Sequence, residues 1–432
     1  MALPTNIFGA SASTALQAFF KTRFPQRKVE NLISWGNPTF SQIKKSNELT
    51  GISTVIPLQI GNPQGVSSSL QVAIQAASPI QGKAWTITTG QLYGGLRIDA
   101  KTLMAARNDQ GAFFRLRERE YEGELKSIGL ALEKQLWSSG DASLAIASAS
   151  NLVTGAAGTV QCATPADALN FQINTPVEFF AASGGSPDPA TERTTGQPAA
   201  GYSLVTKVNY ITGLLTFDDV PDTVVAGDHL VRAGAMASSA VLGDIKGIPA
   251  WIPASDPSAT TFFGVDRTAM VQMLSGWREP AYLGSIEETV KALVSRMDRV
   301  SQNPKTLWLS YANWNRLEIE LGARGERMED GQDAVFGRTS LRMSTPNGPI
   351  MVKAGPFVPE NAGFLLDMST FELMSLGEVP HLVDDDGLTA RVVGVATSGS
   401  TVLAEDGIEI RLRAFPQLVC VNPFANGRFP IS

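Results

Sequence analysis

Histidine and cysteine are scarce in this chain of 432 residues, which contains two of each: His229, His381, Cys162 and Cys420. The spacing of the cysteines indicates neither a disulfide framework nor a metal knuckle, so we expect both to be small buried hydrophobic residues. The two histidines lie far apart in the sequence. This separation disfavours a His-based acid–base site and a His-rich metal site.

Short catalytic motifs are also absent. The sequence contains no G-x-S-x-G, no G-x-x-x-x-G-K-[ST], no G-x-G-x-x-G and no H-E-x-x-H. The acidic run Asp384–Asp386 lacks the ligand alternation and the closing glutamate of a calcium loop, which leaves a solvated turn or adventitious cation binding as its interpretations. We therefore expect no enzymatic activity, no cofactor and no dedicated metal site.

A strong charge of either sign and long apolar runs are missing as well. Lysine and arginine number 35 against 41 aspartates and glutamates, a net charge of −6 that disfavours tight binding of nucleic acid. No apolar run approaches the roughly 20 residues of a membrane span, and the N-terminal basic residues follow the apolar stretch, the reverse of a secretory signal. These features predict a soluble, cytoplasmic setting and no membrane.

The clearest pattern that is present lies near the C-terminus. Residues 407–415 alternate between apolar and polar side chains, and the apolar character continues through 418–424. This alternation predicts one long strand with a buried face and a charged face. Nothing nearby in the sequence could pair with it, so we expect its partner to come from far upstream.

The N-terminal hundred residues predict an arm followed by a β ribbon. Residues 1–50 have little periodicity but carry an apolar patch that includes Phe19 and Phe20. Residues 51–98 contain three candidate strands, at 52–60, 70–74 and 85–88, separated by turn residues. A ribbon of this kind encloses no core and is marginal in water. It needs a neighbour.

A long helix is predicted next, over 109–137, because apolar residues recur there at spacings of three and four. We call it the spine helix. Its N-terminal half alternates acidic and basic residues, among them Arg115, Arg119 and Glu122. These charges form intrahelical pairs, a solvated face or ion pairs to a neighbouring subunit.

The rest of the chain predicts two further regions. Residues 150–236 lose the helical period and contain candidate strands at 203–209, 214–217 and 227–232, with an exposed, mobile loop at 181–201; we interpret them as an inserted β domain. Beyond them helix and strand alternate. Ser285 with Glu288 forms a capping box before a helix, and Ser310 caps another after a strand at 306–309.

This order of elements resembles the major capsid proteins of tailed bacteriophages, the Hong Kong ninety-seven-type capsid fold. The phrases LWLSYANW at 307–314 and GFLLD at 363–367 are similar to what capsid sequences carry at these places. The resemblance implies an α+β fold with an N-terminal arm, an extended β-hairpin loop, a long spine helix, peripheral and axial domains, and an inserted small β domain. The implied divisions are the arm 1–50, the extended loop 51–98, the peripheral domain with the spine helix 99–149, the insert 150–236, a connector 237–262, the axial domain 263–384 and the return strand 385–432.

The same resemblance implies a function. Subunits of this family self-assemble into hexamers and pentamers of an icosahedral head shell around double-stranded DNA, which they bind without sequence specificity. The implied partners are portal and scaffolding proteins, with a decoration protein as an open alternative, and the implied location is the virion after assembly in the host cytoplasm. Many relatives begin with a cleaved scaffolding segment. This chain begins almost directly with the arm, so we expect either a mature form or a separate scaffolding protein.

Two other functions stay open. An encapsulin-type nanocompartment has the same fold but holds a cargo enzyme, and a soluble carbohydrate-binding or hydrolytic protein could use the β insert as its binding module. The missing catalytic motifs and the unsupported ribbon disfavour the second of these.

The candidate interface residues are Phe19, Phe20, Lys83, Trp85, Arg115, Arg119 and Glu122. Trp85 is the foremost candidate for an intersubunit anchor because a large aromatic in an element without a core must be covered by something. Burial within its own subunit is the alternative. A few relatives cross-link an extended-loop lysine to an asparagine with the help of a glutamate; Lys83 with Asn422 or Asn426 is the only comparable set, and no glutamate follows Glu409. We therefore expect Lys83 to be an ordinary exposed lysine.

Overall fold

The computed structural model describes residues 38–432 except 48, 50, 52, 100–109, 199–200, 238–239, 242, 259, 324–340, 346–347, 378, 380, 383–390, 393–395, 399–400 and 404–406. Only the backbone is described at 99, 110–119, 237, 240, 341 and the remaining residues of 381–408. The chain divides into two compact units. The first comprises Met1–Phe40, Gly90–Ile245 and Gly377–Phe415, and the second comprises Ser41–Thr89, Lys246–Leu376 and Pro416–Ser432.

The C-terminal alternation forms a strand of the first unit. Gly407–Ala414 pairs antiparallel with Leu92–Asp99 along its whole length, which confirms the prediction of a partner far upstream. The apolar face is buried on the spine helix, where Leu412 and Ala414 contact the cluster around Leu132. The prediction of one uninterrupted strand was wrong. Proline at 416 lacks a backbone donor, and Pro416–Cys420 forms a separate strand in the second unit.

The spine helix spans Gln110–Leu136, where the apolar spacing predicts it. Near its C-terminal end the buried carboxylate of Glu133 accepts hydrogen bonds from the backbone N–H groups of Thr39 and Phe40, at 3.0 and 2.7 Å. Burial raises the pKa of Glu133, and these hydrogen bonds oppose that rise. Lys134 donates to the carbonyl of Asn170 at 2.5 Å, and burial together with Arg232 lowers its pKa to about 7. The helix end thus holds two other segments of the first unit.

The inserted β domain is a closed barrel. Its strands follow the order Ser143–Ile146, His229–Arg232, Pro176–Ser183, Ser203–Asn209, Leu214–Phe217 and Thr159–Gln161. A bridge between Ala147 and Cys162 joins the first strand to the last, which closes the sheet. Phe171, Phe179 and Phe217 fill the interior with aliphatic neighbours from the same strands. The barrel is therefore a packed core rather than a ligand cavity.

The predicted loop at 181–201 is largely a hairpin. Pro176–Ser183 continues past the barrel and pairs with Ser186–Glu192 across a turn at Gly184 and Gly185. Both glycines have positive φ, +61° and +87°, which makes a tight two-residue connection possible. The small polar composition that suggested a mobile loop is that of an exposed hairpin.

The first unit also contains shorter elements. Its 3₁₀ helix is Pro165–Asn170, and its further strands are Gly155–Ala156, Asp219–Val220, Met236–Ala237, Ala240–Val241, His381–Leu382, Arg391–Val392, Ala396–Ser398 and Thr401–Leu403. The short helix Pro38–Gln42 begins in the first unit and ends in the second.

A six-stranded mixed sheet forms the core of the second unit, in the order Trp277–Arg278, Gly427–Pro430, Ala362–Leu366, Thr306–Leu309, Gly348–Ala354 and Leu341–Thr345. The helices Ile286–Asp298 and Tyr311–Ala323 cover it, with Val290, Leu293 and Leu317 fully buried. Both predicted caps are present: the hydroxyls of Ser285 and Ser310 each accept a hydrogen bond from the N–H three residues on, at 3.2 Å.

The remaining elements of the second unit are shorter. A three-stranded sheet contains Lys44–Ser46, Phe371–Ser375 and Pro416–Cys420; the other strands are Ser53–Gly61, Gln81–Thr88, Thr261–Phe262 and Val265–Asp266. The short helices are Leu70–Gln75, Ile248–Trp251 and Val271–Ser275, and the 3₁₀ turns are Thr268–Met270, Met368–Thr370 and Pro423–Ala425. None of the helices in the described ranges is long and apolar enough to span a membrane.

Truncating a barrel aromatic should open the barrel. We expect Phe217→Ala to lower its free energy of unfolding by about 3–5 kcal/mol, because the ring is fully buried and its removal leaves a cavity. Native-state hydrogen exchange of barrel amides such as Leu215 measures this. Ile211→Ala, at a side chain that is 90% exposed on the same barrel, should change it by less than about 0.5 kcal/mol. Equal effects of the two variants would contradict a packed interior.

Glu178 should make the barrel less stable as pH rises. Burial raises its pKa to about 7, the hydrogen bond from the Gly234 N–H opposes this, and Glu192 adds to the rise. Because the folded barrel holds this proton more tightly than the unfolded chain, the stability that Glu178 contributes is complete below pH 4.5 and is lost as pH rises through about 7.

Glu178→Gln should therefore be more stable than the unaltered chain near pH 8 and equal to it near pH 4, as measured by thermal unfolding at a series of pH values. Glu360→Gln, at an exposed carboxylate, controls for the loss of one surface charge. A constant difference between Glu178→Gln and the unaltered chain at all pH values would rule out this role for Glu178.

Candidate assembly surface

The predicted ribbon exists but is shorter and differently built. Ser53–Gly61 pairs antiparallel with Gln81–Thr88, from Ser53 opposite Thr88 to Gly61 opposite Gln81. The segment 92–98, predicted as part of the ribbon, pairs with the C-terminal strand instead. We call the connecting residues 62–80 the ribbon tip.

The predicted strand at 70–74 is a helix, Leu70–Gln75. Its backbone groups bond within the helix: the N–H of Ala73 donates to the carbonyl of Ser69 at 2.9 Å, and that of Ala76 to the carbonyl of Val72 at 2.8 Å. The apolar residues that suggested a strand are Leu70, Val72 and Ile74. In the helix all three are exposed.

Large aliphatic side chains are concentrated on the ribbon tip. The exposed fractions are 97% for Val66, 78% for Leu70, 68% for Ile74, 58% for Ile80 and 50% for Val72. No aspartate, glutamate, lysine or arginine occurs from 53 to 82. Several exposed aliphatic residues close together in an uncharged segment are typical of an interface rather than of a free surface.

The ribbon root, residues 83–88, buries Trp85 and Ile87 in the second unit, while the alternate residues of the strand are exposed. Trp85 has 0% exposure and makes edge-to-face contacts with Trp251 and Phe262, at ring-centroid distances of 5.3 and 6.0 Å. The indole N–H of Trp251 donates to the carbonyl of Leu418 at 3.0 Å, which ties this cluster to the C-terminal segment. The structure thus corrects the expectation that Trp85 anchors a neighbouring subunit, because its own chain covers it completely.

The other candidate residues lie outside the aromatic cluster around Trp85. Lys83 is half-buried, and its ammonium donates to the carbonyl of Asp266 at 3.1 Å. Asn426 is fully buried, where its amide donates to the Thr370 hydroxyl and the Asn422 carbonyl and accepts from the N–H of Asp367. It is therefore not available for a cross-link.

On the spine helix Glu122 is exposed, whereas Glu120 and Glu124 are partly buried. Burial raises the pKa of both, and the charge of Glu120 adds to the rise at Glu124. Arg115 and Arg119 lie in the part of the helix where only the backbone is described, and Phe19 and Phe20 lie outside the described residues.

Sequence reasoning missed the residues that now stand out, the five aliphatic side chains of the ribbon tip. The available signal was the charge-free stretch 53–82, which is long for a chain with 18% charged residues. Among the described residues no group of His, Cys, Asp and Glu could hold a metal ion.

No known family profile matches this sequence, and no curated protein matches it. Solved structures do. A chain of the cyanophage A-1(L) capsid asymmetric unit is 10% identical, with 94% of this chain and 95% of that chain covered and a TM-score of 0.49. A chain from Mycobacterium phage Adephagia is 8% identical, with 98% and 99% covered and a TM-score of 0.45.

The chain is similar to phage capsid chains. It is also similar to the holo-SrpI encapsulin complex of Synechococcus elongatus PCC 7942, at 7% identity and a TM-score of 0.43, with 98% and 95% covered. These findings agree with the resemblance inferred from the order of elements. The TM-scores of all three lie below 0.5.

Truncating the root tryptophan should destabilise the second unit itself. We expect Trp85→Ala to lower the free energy of unfolding by about 3–5 kcal/mol, since a fully buried indole and its two aromatic contacts are lost. Urea unfolding followed by tryptophan fluorescence measures this. Val55→Ala, on the facing strand and largely exposed, is the matched control. Unchanged stability of Trp85→Ala would contradict a stabilising role for this ring in the second unit.

Proposed function

We propose that this chain is the major capsid protein of a tailed bacteriophage, a structural and non-enzymatic subunit that self-assembles into an icosahedral shell. The observation that carries the proposal is the ribbon tip. A segment with five exposed aliphatic side chains and no charge has no use on an isolated subunit, and each such side chain contributes about 1.5–3 kcal/mol when it is fully buried.

The occupant that we propose for the ribbon tip is a second copy of the chain. The tip carries five exposed aliphatic side chains among uncharged polar residues, so a largely apolar partner surface suits it, and another copy of the chain is present wherever the tip is. A surface that binds a different surface on an identical subunit makes a heterologous contact. Contacts of this kind form rings where the rotation between neighbours closes, and rings of six and five are the hexamers and pentamers of a shell.

The charge balance supports the proposed content of the shell. A net charge of −6 provides no general attraction for a polyanion, which is compatible with enclosing double-stranded DNA without sequence-specific binding. We propose the virion as the location, after assembly in the host cytoplasm, with portal and scaffolding proteins as partners. The domain divisions and the remaining interface residues, Glu122, Arg115, Arg119, Phe19 and Phe20, belong to the same proposal.

Expression of the chain alone, followed by negative-stain electron microscopy and analytical ultracentrifugation, tests the proposal. We expect closed particles, or hexamers and pentamers that convert to them. The double variant Leu70→Ser and Ile74→Ser should reduce particle yield at least tenfold without changing thermal stability, because both side chains are exposed in the subunit. Ile211→Ser, at an equally exposed aliphatic residue of the barrel, is the matched control.

Normal particles from the double variant would refute the role of the ribbon tip. A stable monomer, alone and with coexpressed scaffolding protein, would refute the capsid proposal and favour the carbohydrate-binding or hydrolytic alternative. Particles that contain one enzyme and no nucleic acid would identify an encapsulin-type compartment instead.

A further inference from the structure

A small hairpin in the second unit contacts the ribbon root. Thr261–Phe262 pairs with Val265–Asp266, and the two connecting residues, Phe263 and Gly264, have φ of +47° and +79°. Two-residue turns with positive φ at both positions favour Asn-Gly, since these residues tolerate the left-handed region. A phenylalanine there is strained and persists only where its surroundings hold it.

The contacts of Phe263 explain why this strain is retained. Its carbonyl accepts a hydrogen bond from the N–H of Thr86 at 2.9 Å, on the edge of the ribbon strand that does not face Ser53–Gly61. Its ring stacks on Trp251, with centroids 5.6 Å apart and an interplanar angle of 29°. One residue of the turn therefore contacts both the ribbon and the body of the second unit.

The rest of the hairpin repeats this double contact. The Phe262 ring meets Trp85 and Trp251 edge to face, at 6.0 and 5.0 Å. The carbonyl of Asp266 accepts the hydrogen bond from Lys83. The indole N–H of Trp85 has no hydrogen-bond partner among the described residues, so packing rather than a side-chain hydrogen bond holds this ring.

The hairpin is itself fixed by a buried arginine. The guanidinium of Arg267 lies 4.0 Å from the centroid of the Phe262 ring and donates to the carbonyl of Ala250 at 3.0 Å. Burial, with a contribution from Arg278, lowers the pKa of Arg267 to about 10, so it remains charged at neutral pH. The hairpin is thus held on one side by Arg267 and holds the ribbon on the other.

We propose that the hairpin 261–266 is a clamp that fixes the direction in which the ribbon leaves the second unit, and that Phe263 is its positioning residue. A ribbon held only by its own two strands could tilt about its root, which would displace the tip by far more than the root moves. The clamp removes this freedom. Its role in assembly rests on the proposed function of the ribbon tip.

Phe263→Gly tests the clamp. Glycine suits a positive φ better than phenylalanine, so a turn without a clamping role should become more stable. If Phe263 clamps the ribbon, loss of its ring should raise the hydrogen-exchange rate of the Thr86 amide about tenfold. This factor corresponds to the free energy of one aromatic pair. The amides of Trp85 and Ile87, which strand alternation directs to the opposite edge, report the pairing within the ribbon.

Two further variants serve as controls. Phe263→Tyr keeps the ring and should keep the slow exchange at Thr86. Ala157→Gly relieves a positive φ of 55° in a turn of the inserted β domain and removes no aromatic ring. It should leave the hydrogen exchange of the Thr86 amide unchanged. Particle yield of each variant is measured in parallel.

Faster exchange at Thr86 with lower particle yield in Phe263→Gly, but not in Phe263→Tyr, supports the proposal. Unchanged exchange at Thr86 would overturn the clamp, and faster exchange with normal particles would overturn its positioning role. Failure of the unaltered chain to assemble would count against the proposed function alone, because the amide measurement does not require particles.

Discussion

Pairing between distant segments is the constraint on which both units depend. In the first unit, Leu92–Asp99 has no partner until Gly407–Ala414 is made; the ion pair between Arg97 and Glu409 on these strands joins residues 312 positions apart. In the second, Gly427–Pro430 lies inside the six-stranded sheet, between Trp277–Arg278 and Ala362–Leu366. Neither core is complete before the segment 407–430 exists.

This late closure affects the second unit and the barrel differently. The sheet of the second unit lacks an internal strand until 427–430 is present. The barrel is different. Its strands all lie between 143 and 232, and its core uses only residues from that range. The barrel can therefore close before residues 407–430 exist, without waiting for the rest of the first unit or for the second unit.

The sequence correctly predicted the elements that are determined by hydrophobic periodicity and by helix capping. The alternation at 407–414, the spacing in the spine helix and the serines at 285 and 310 each fix an element through interactions close in sequence or through one buried face. Sequence-based prediction failed where the structure of a segment depends on a pairing partner that is distant in sequence. The segment Leu70–Gln75 has strand composition but pairs with no strand in the described part of the chain, and Pro416 divides an apolar run between two sheets.

The prediction for Trp85 was wrong for the same reason: its packing partners are distant in sequence. The premise that a large aromatic in a ribbon must be covered was right, but the sequence did not reveal the cover, because Trp251 and Phe262 lie more than 150 residues downstream. No local signal connects them. The strained turn at Phe263 could not be predicted either, since the preference of its backbone is for another residue.

The two ends of the ribbon therefore have different roles: the root stabilises the folded chain, and the tip is the surface that we propose for association. The root buries its aromatic residue within the chain, where it contributes to folding, while the tip leaves its aliphatic residues exposed. In the assembly that we propose, these residues contribute only when a second copy covers them, so the surface used for association is separate from the one used in folding. If the root were exposed, the ribbon would not be held at a fixed angle to the second unit. If the tip were buried in its own chain, its aliphatic residues could not bind a second copy.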